Sequence, residues 1–192
     1  MKPFRYLLFN SSVEARKNLF ILAEAYAQSN LSSQGIQLCV TGKLKNDDYS
    51  AAIKNIVRHE PGIVLTGYVS ESTKLDLYLN GLALLSPSLV EGFGIPVLDA
   101  ACLGMPALAS ESASHGEIAS LHDFRNYVIL LNTLKSQDWS SAMQAYAHLG
   151  SHLGDPHEAR KERQRRITRY EHHKKLFMTE LRKDLVETLQ AS

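Results

Sequence analysis

The sequence carries almost no excess charge of either sign: 21 Lys and Arg stand against 20 Asp and Glu in 192 residues, a net charge of +1. That balance excludes bulk electrostatic capture of nucleic acid as the main activity. Cysteine is scarce too. Cys39 and Cys102 both lie in apolar runs with no metal-ligand spacing around them. They read as buried small side chains, with no disulfide expected. No apolar run approaches membrane-spanning length, and the opening residues M-K-P-F-R carry no signal-like apolar stretch. The expectation is a cytoplasmic protein, peripheral to a membrane at most. Internal repeats and low-complexity segments are lacking as well.

What is present is enough apolar material for a core, 44% of residues. Buried strands are expected at Phe4 to Phe9, Ile36 to Thr41, Ile63 to Thr66, Leu82 to Leu85 and Ala107 to Ala109, with a short last one at Tyr127 to Leu131. Helical patterns fall between them, at Leu19 to Ala27, Tyr49 to Arg58, Ser72 to Asn80 and Val97 to Leu103. Asp138 to Leu149 is a further helix, and a long charged one runs from Asp155-Pro156 to about Leu189. Alternating helices and continuously apolar strands predict an α/β fold, a Rossmann-like parallel sheet with helices on both faces. Ligands of such sheets bind at the carboxyl ends of the strands. The loops holding Lys17, Tyr68 and the Glu91–Asp99 stretch all fall there.

The most informative stretch is S-P-S-L-V-E-G-F-G-I-P-V-L-D-A, residues 86–100. A strand leads into it, and its serines, prolines and glycines make a tight loop. Pro96 suits the first turn of the next helix, where a missing N–H costs nothing. Gly94 and Ile95 then present backbone N–H groups at a helix start, where an anion such as phosphate is stabilised. Glu91 lies in the loop and Asp99 about one turn into the helix, so both are expected to reach one small volume above the helix start. Beside a phosphate, carboxylates would take sugar or ribose hydroxyls. Earlier in the chain, Arg16 and Lys17 precede a helix, where cations need either solvent or an anionic partner.

The run S-P-S-L-V-E-G-F-G-I-P-V-L-D-A-A-C-L-G-M-P-A-L-A-S resembles the signature of the family-4 GT-B glycosyltransferases, in which a Glu, seven residues and a second Glu mark the nucleotide-sugar donor site. The first Glu falls on Glu91 and the second on Asp99, a change that keeps the charge but is one methylene shorter. The family's R-K-N, of a mannosyltransferase-like subgroup, appears as Arg16-Lys17-Asn18. The resemblance assigns Lys17 to the donor diphosphate, with Arg16 a weaker candidate, and Glu91 to donor-sugar hydroxyls. It assigns Asp99 to the ribose, Tyr68 and Val69 of the G-Y-V turn to the nucleobase, and Gly92, Phe93, Gly94 and Ile95 to the donor loop. A Gly and an Arg that many members carry before R-K-N are Asn10-Ser11 here, so one cation is absent.

The likeness covers roughly Phe4 to Ala142, the C-terminal half of a GT-B fold. It implies residues 1–155 as a Rossmann-like donor-binding domain and 156–192 as a charged helix packing on or beside it. The implied activity is retaining hexosyl transfer, mannosyl among the options, from a nucleotide-diphosphate-sugar without cofactor. No D-x-D motif is present, Asp47 and Asp48 being adjacent, and no metal is expected. The family's N-terminal acceptor-binding domain is not matched by this chain, which is expected to be inactive without it. A non-catalytic donor-domain-only module, acting as an assembly partner, is the alternative. An epimerase reading fails for want of an early G-x-x-G-x-x-G loop and a Y-x-x-x-K pair. Ser114-His115-Gly116-Glu117 reads as one loop that does not resemble a nucleophile elbow. The Arg- and Lys-rich Glu158 to Lys175 reads as a solvated amphipathic helix.

Overall fold

The computed structural model describes residues 1–132 and 134–190, with side chains at all of these except 181, 182 and 184–190. Six strands form one parallel sheet: β1 (Tyr6–Asn10), β2 (Gln37–Thr41), β3 (Ile63–Gly67), β4 (Leu84–Ser86), β5 (Ala107–Ser110) and β6 (Val128–Leu131), in the order β3-β2-β1-β4-β5-β6. The helices among the described residues are α1 (Leu19–Gln28), α2 (Asp48–His59), α3 (Glu71–Asn80), α4 (Ile95–Leu103), α5 (Ala113–Ser120), α6 (Ser136–Leu149) and α7 (Pro156–Gln190). No described helix is long and apolar enough to cross a membrane. This is the doubly covered α/β sheet that the sequence predicts.

Strand periodicity sorts the core into two layers. Leu7 and Phe9 of β1, with Leu38 and Val40 of β2, face α1, α2 and α6. Tyr6 and Leu8, with Cys39 and Leu84, face α3, α4 and α5. Because both faces are covered, every side chain from Tyr6 to Phe9 is buried, which is why these strands read as unbroken apolar runs.

The chain winds from β1 to β2 and β3 on one side, then crosses back so that β4 lies against β1, with Leu8 opposite Leu84. The connections after β1 and β4 therefore leave in opposite directions and open a crevice between them. The close approach of β1 and β2 at that end needs glycine. A Cβ on Gly42, whose φ is +138°, would lie 1.9 Å from the Ser11 carbonyl oxygen.

Two expectations change. Residues 113–120, expected as loop, form α5, because the Ser112 hydroxyl accepts from the His115 N–H and caps the helix. The Arg-rich part of α7 is a fastener and not a solvated face. Helix carbonyls at a C-terminus have no partner within the helix, and three arginines supply donors to the ends of α3 and α4. Arg166, 1% exposed, donates to the carbonyls of Tyr78 and Gly81 at 2.8 Å each, pairs with Glu162 at 2.9 Å and lies over the Phe4 ring. Arg165 donates to Gly104 O at 3.0 Å and Arg169 to Ala101 O at 3.2 Å.

Removing a buried charged partner leaves its acceptors unpaired. Arg166→Ala is expected to lower stability by about 3 kcal/mol or more, against about 1 kcal/mol or less for the exposed Arg160→Ala. Urea unfolding of the two variants measures the difference.

Candidate functional site

The crevice between the ends of β1 and β4 holds the residues that the sequence singles out. After β1 the chain makes a 3₁₀ turn, Ala15–Lys17, and Asn18 takes a left-handed conformation before α1 begins. This turn aims Lys17 inward. Lys17 Nζ meets Glu91 Oε2 at 2.5 Å, with the two side chains only 7% and 9% exposed. Ser88 Oγ donates to the same carboxylate oxygen at 3.0 Å. The backbones are joined as well, since Leu89 N donates to Arg16 O at 2.8 Å. Burial alone pushes the Glu91 carboxyl up, but the Lys17 ammonium and the Ser88 hydroxyl outweigh it and hold the group below the usual glutamate range.

The loop from Glu91 to Gly94 turns into α4 through Gly94, whose φ is +81°. A side chain there is strained by the backbone, and its Cβ would press to 3.0 Å from His115 Cδ2. Pro96 fills the second helical position. The carbonyl of Gly94 accepts from Val97 and Leu98, whereas the N–H groups of Gly94 and Ile95 have no backbone acceptor among the described residues. The result is a helix start whose dipole and N–H groups favour an anion, beside a lysine ammonium.

The remaining predicted residues fall into three places. Arg16 turns away from the crevice, half exposed, and pairs with Glu14 at 3.0 Å, a carboxylate that Lys45 also engages. Tyr68 is 80% exposed just beyond β3, and Val69 packs partly against the core. Phe93 and Ile95 are exposed at the rim, while Gly92 meets nothing within 4 Å of where a Cβ would stand.

Asp99 departs from the expectation of a volume shared with Glu91. It lies on the side of α4 that faces α3, in a cavity of about 450 Å³ lined also by Glu71, Lys74, Tyr78 and Tyr170. Burial raises its carboxyl above the usual aspartate range, opposed by Lys74 and helped by Glu71. The two carboxylates thus have separate surroundings.

Two contributors were missed from sequence. Ser88, three residues before Glu91, sits within turn distance and was open to inference. From sequence His115 counts only as part of a hydrolase-like Ser-His-Glu run, set aside because its segment reads as loop. It is fully buried under Gly94.

Residues 2–167 match the family model of group 1 glycosyl transferases. The chain belongs to that family. Over 115 residues it is 30% identical to the O-antigen chain mannosyltransferase B of Escherichia coli, an alignment covering 59% of this chain and 30% of that protein. Its fold is shared with the catalytic domain of the cholesterol-alpha-glucosyltransferase of Helicobacter pylori (TM-score 0.63, 18% identity, 88% of this chain and 96% of that one). It is shared also with Anabaena HepE in complex with UDP-glucose (TM-score 0.67, 15% identity, 98% of this chain and 49% of that one). The chain therefore spans about a third of the mannosyltransferase and about half of HepE.

The Glu91 carboxylate gives this member of the family an acid-labile bond. A carboxyl held low in the folded state contributes stability above its unfolded value of 4.5, and that contribution is lost as pH falls through the lower folded value. In urea titrations, the stability difference between the wild type and Glu91→Gln is expected to shrink steadily below pH 4.5. A constant difference from pH 7 to pH 3 excludes the ion pair as its source.

Proposed function

We propose that the chain is the nucleotide-diphosphate-sugar-binding part of a retaining hexosyltransferase. The observation that carries this reading is the convergence, at the reversal in strand order, of Lys17, Glu91 and the open start of α4. In the proposed site Lys17 and the Gly94 and Ile95 N–H groups take the diphosphate, and Glu91 takes sugar hydroxyls. Asp99 takes the ribose, Tyr68 and Val69 flank the base, and Gly92 and Phe93 complete the loop. Arg16, held by Glu14, serves at the edge. Donor binding replaces the Lys17–Glu91 contact, releasing Glu91 to the sugar. When the bond between the anomeric carbon and the phosphate oxygen breaks, the electron pair stays on the leaving diphosphate. Lys17 and the helix start stabilise that charge without rearranging.

Support comes from the family match and from the relatives' names, one a mannosyltransferase and one seen with UDP-glucose. On this reading residues 1–155 form the donor domain, with 156–192 as an added helix. The donor is a substrate, and neither a cofactor nor a metal takes part. The reaction, in polysaccharide or glycoconjugate synthesis at the cytoplasmic side, needs an acceptor-binding domain on another segment or chain, and the isolated chain is inactive. A mannosyl donor is favoured by the relative's name alone. One observation favours the competing reading of a non-catalytic module: Ser11, just past the end of β1, stands where many members carry an arginine, so no second cation enters the crevice from that position.

Calorimetric titration with UDP, GDP and ADP tests the reading. One diphosphate is expected to bind saturably, and Lys17→Ala is expected to weaken it at least tenfold (about 1.4 kcal/mol) while leaving the matching nucleoside unchanged. Equal loss for nucleoside and diphosphate refutes the role given to Lys17. Absence of binding by all three diphosphates gives the lead to the non-catalytic module.

A further inference from the structure

His115 is a fully buried ionisable side chain that the proposed reaction does not use. It stands on α5 and reaches three neighbouring elements. Ser110 Oγ, at the end of β5, gives its proton to Ser88 O at 2.7 Å, so His115 Nδ1 is the donor toward Ser110 O at 3.0 Å. Nε2 is left as an acceptor, with Ser86 Oγ of β4 at 3.5 Å. From α4 the contact is the backbone of Gly94, packed so closely on the ring that a Cβ would lie 3.0 Å from Cδ2. The charged groups that face the ring are Glu91, from the loop before α4, and Lys17, from the turn after β1. The ring therefore packs under the helix start and lies within electrostatic reach of the Lys17–Glu91 pair.

We propose that His115 is a positioning residue of the donor site that supports the Gly94 turn while neutral and takes up a proton when the diphosphate binds above it. This inference rests on the donor-site reading. Within the protein itself, burial disfavours the imidazolium first of all; the Ser110 carbonyl and Glu91 favour it, and Lys17 opposes it, leaving the ring below its ordinary range. A bound diphosphate changes the balance in one direction. It adds negative charge beside the ring and neutralises Lys17, the nearby charge that repels the imidazolium. The protonated ring keeps a partner for its new proton, because Nε2–H then faces Ser86 Oγ, a hydroxyl able to accept. Linkage is reciprocal, so a proton taken up on binding means tighter binding at lower pH.

The test is calorimetry of the wild type and His115→Gln with UDP, GDP and ADP in turn. It is run at pH 5.5, 6.5 and 7.5 in buffers of different ionisation enthalpy. Phosphate ionisation of the ligand is common to both proteins and cancels in the comparison. The wild type is expected to take up more protons than the variant, by as much as one, and to gain affinity about three- to tenfold more between pH 7.5 and 5.5. Equal uptake and equal pH dependence overturn the proposal. NMR titration of the His115 ring in the unaltered protein gives a second readout that needs no variant. Its midpoint is expected to rise by about one pH unit with the diphosphate bound, and an unmoved midpoint overturns the proposal. Failure of both proteins to bind any diphosphate overturns the donor-site reading, and this inference with it.

Discussion

An ammonium and a carboxylate, both almost wholly withdrawn from water, meet where the sheet reverses its winding. Either charge alone would be expensive in that position, since desolvating an ion costs several kcal/mol unless a partner compensates. Lys17 and Glu91 therefore commit each other to the crevice, and their backbones follow. The 3₁₀ turn after β1 and the loop after β4 are tied by the Leu89 N–H to the Arg16 carbonyl, and Ser88 closes the carboxylate from the other side. The start of α4 inherits its position from this arrangement. Gly94 turns left-handed three residues beyond Glu91, where a larger residue is strained by the backbone and presses on His115.

Most of the scaffold was legible because burial on both faces leaves its mark on every residue of a strand. The runs from Tyr6 to Phe9 and from Leu38 to Val40 have no polar alternation to misread. Glu91 and Lys17 were singled out for a different reason. The resemblance assigns them roles, and parallel sheets place their loops at one edge. What the sequence hid depends on contacts far along the chain. α5 contains a glycine and two serines within eight residues, weak helix formers taken locally. It forms because Ser112 caps it and because His115 and Ile118 are buried against the sheet. The arginines of α7 were misread because their partners are carbonyls 61 to 88 residues earlier in the chain. A charge pattern records which residues carry charge, but not which helix ends lack donors.

The two acidic residues of the signature show how far environment separates like groups. Glu91 has a buried lysine and a serine hydroxyl, and stays ionised below the usual range. Asp99 has burial and Glu71 against it and only Lys74 in its favour, and moves the other way. A carboxylate that holds its charge is suited to accept strong hydrogen bonds from hydroxyls and to neutralise a lysine. One that is pushed toward protonation is suited to a neutral hydroxyl at a partly dry surface. Seven intervening residues do not bring them into one volume, because α4 directs Asp99 toward α3 while Glu91 precedes the helix altogether.

The charge around the crevice is nearly balanced by the protein's own groups. Glu91 cancels Lys17, and Glu14 is shared between Arg16 and Lys45. The positive potential that remains comes from the one cation in excess around Glu14 and from aligned peptide dipoles at the start of α4. An anion entering such a site is not drawn by a large net charge; it must exchange partners with groups already satisfied. Exchange of that kind discriminates, because a ligand gains only where it replaces the Glu91 contact on Lys17 and also offers hydroxyls to the carboxylate it displaces. A bare phosphate meets the first condition and leaves Glu91 buried without its partner. A diphosphate joined to a sugar meets both, so on the proposed reading the ion pair at the reversal point would favour the complete donor over its fragments.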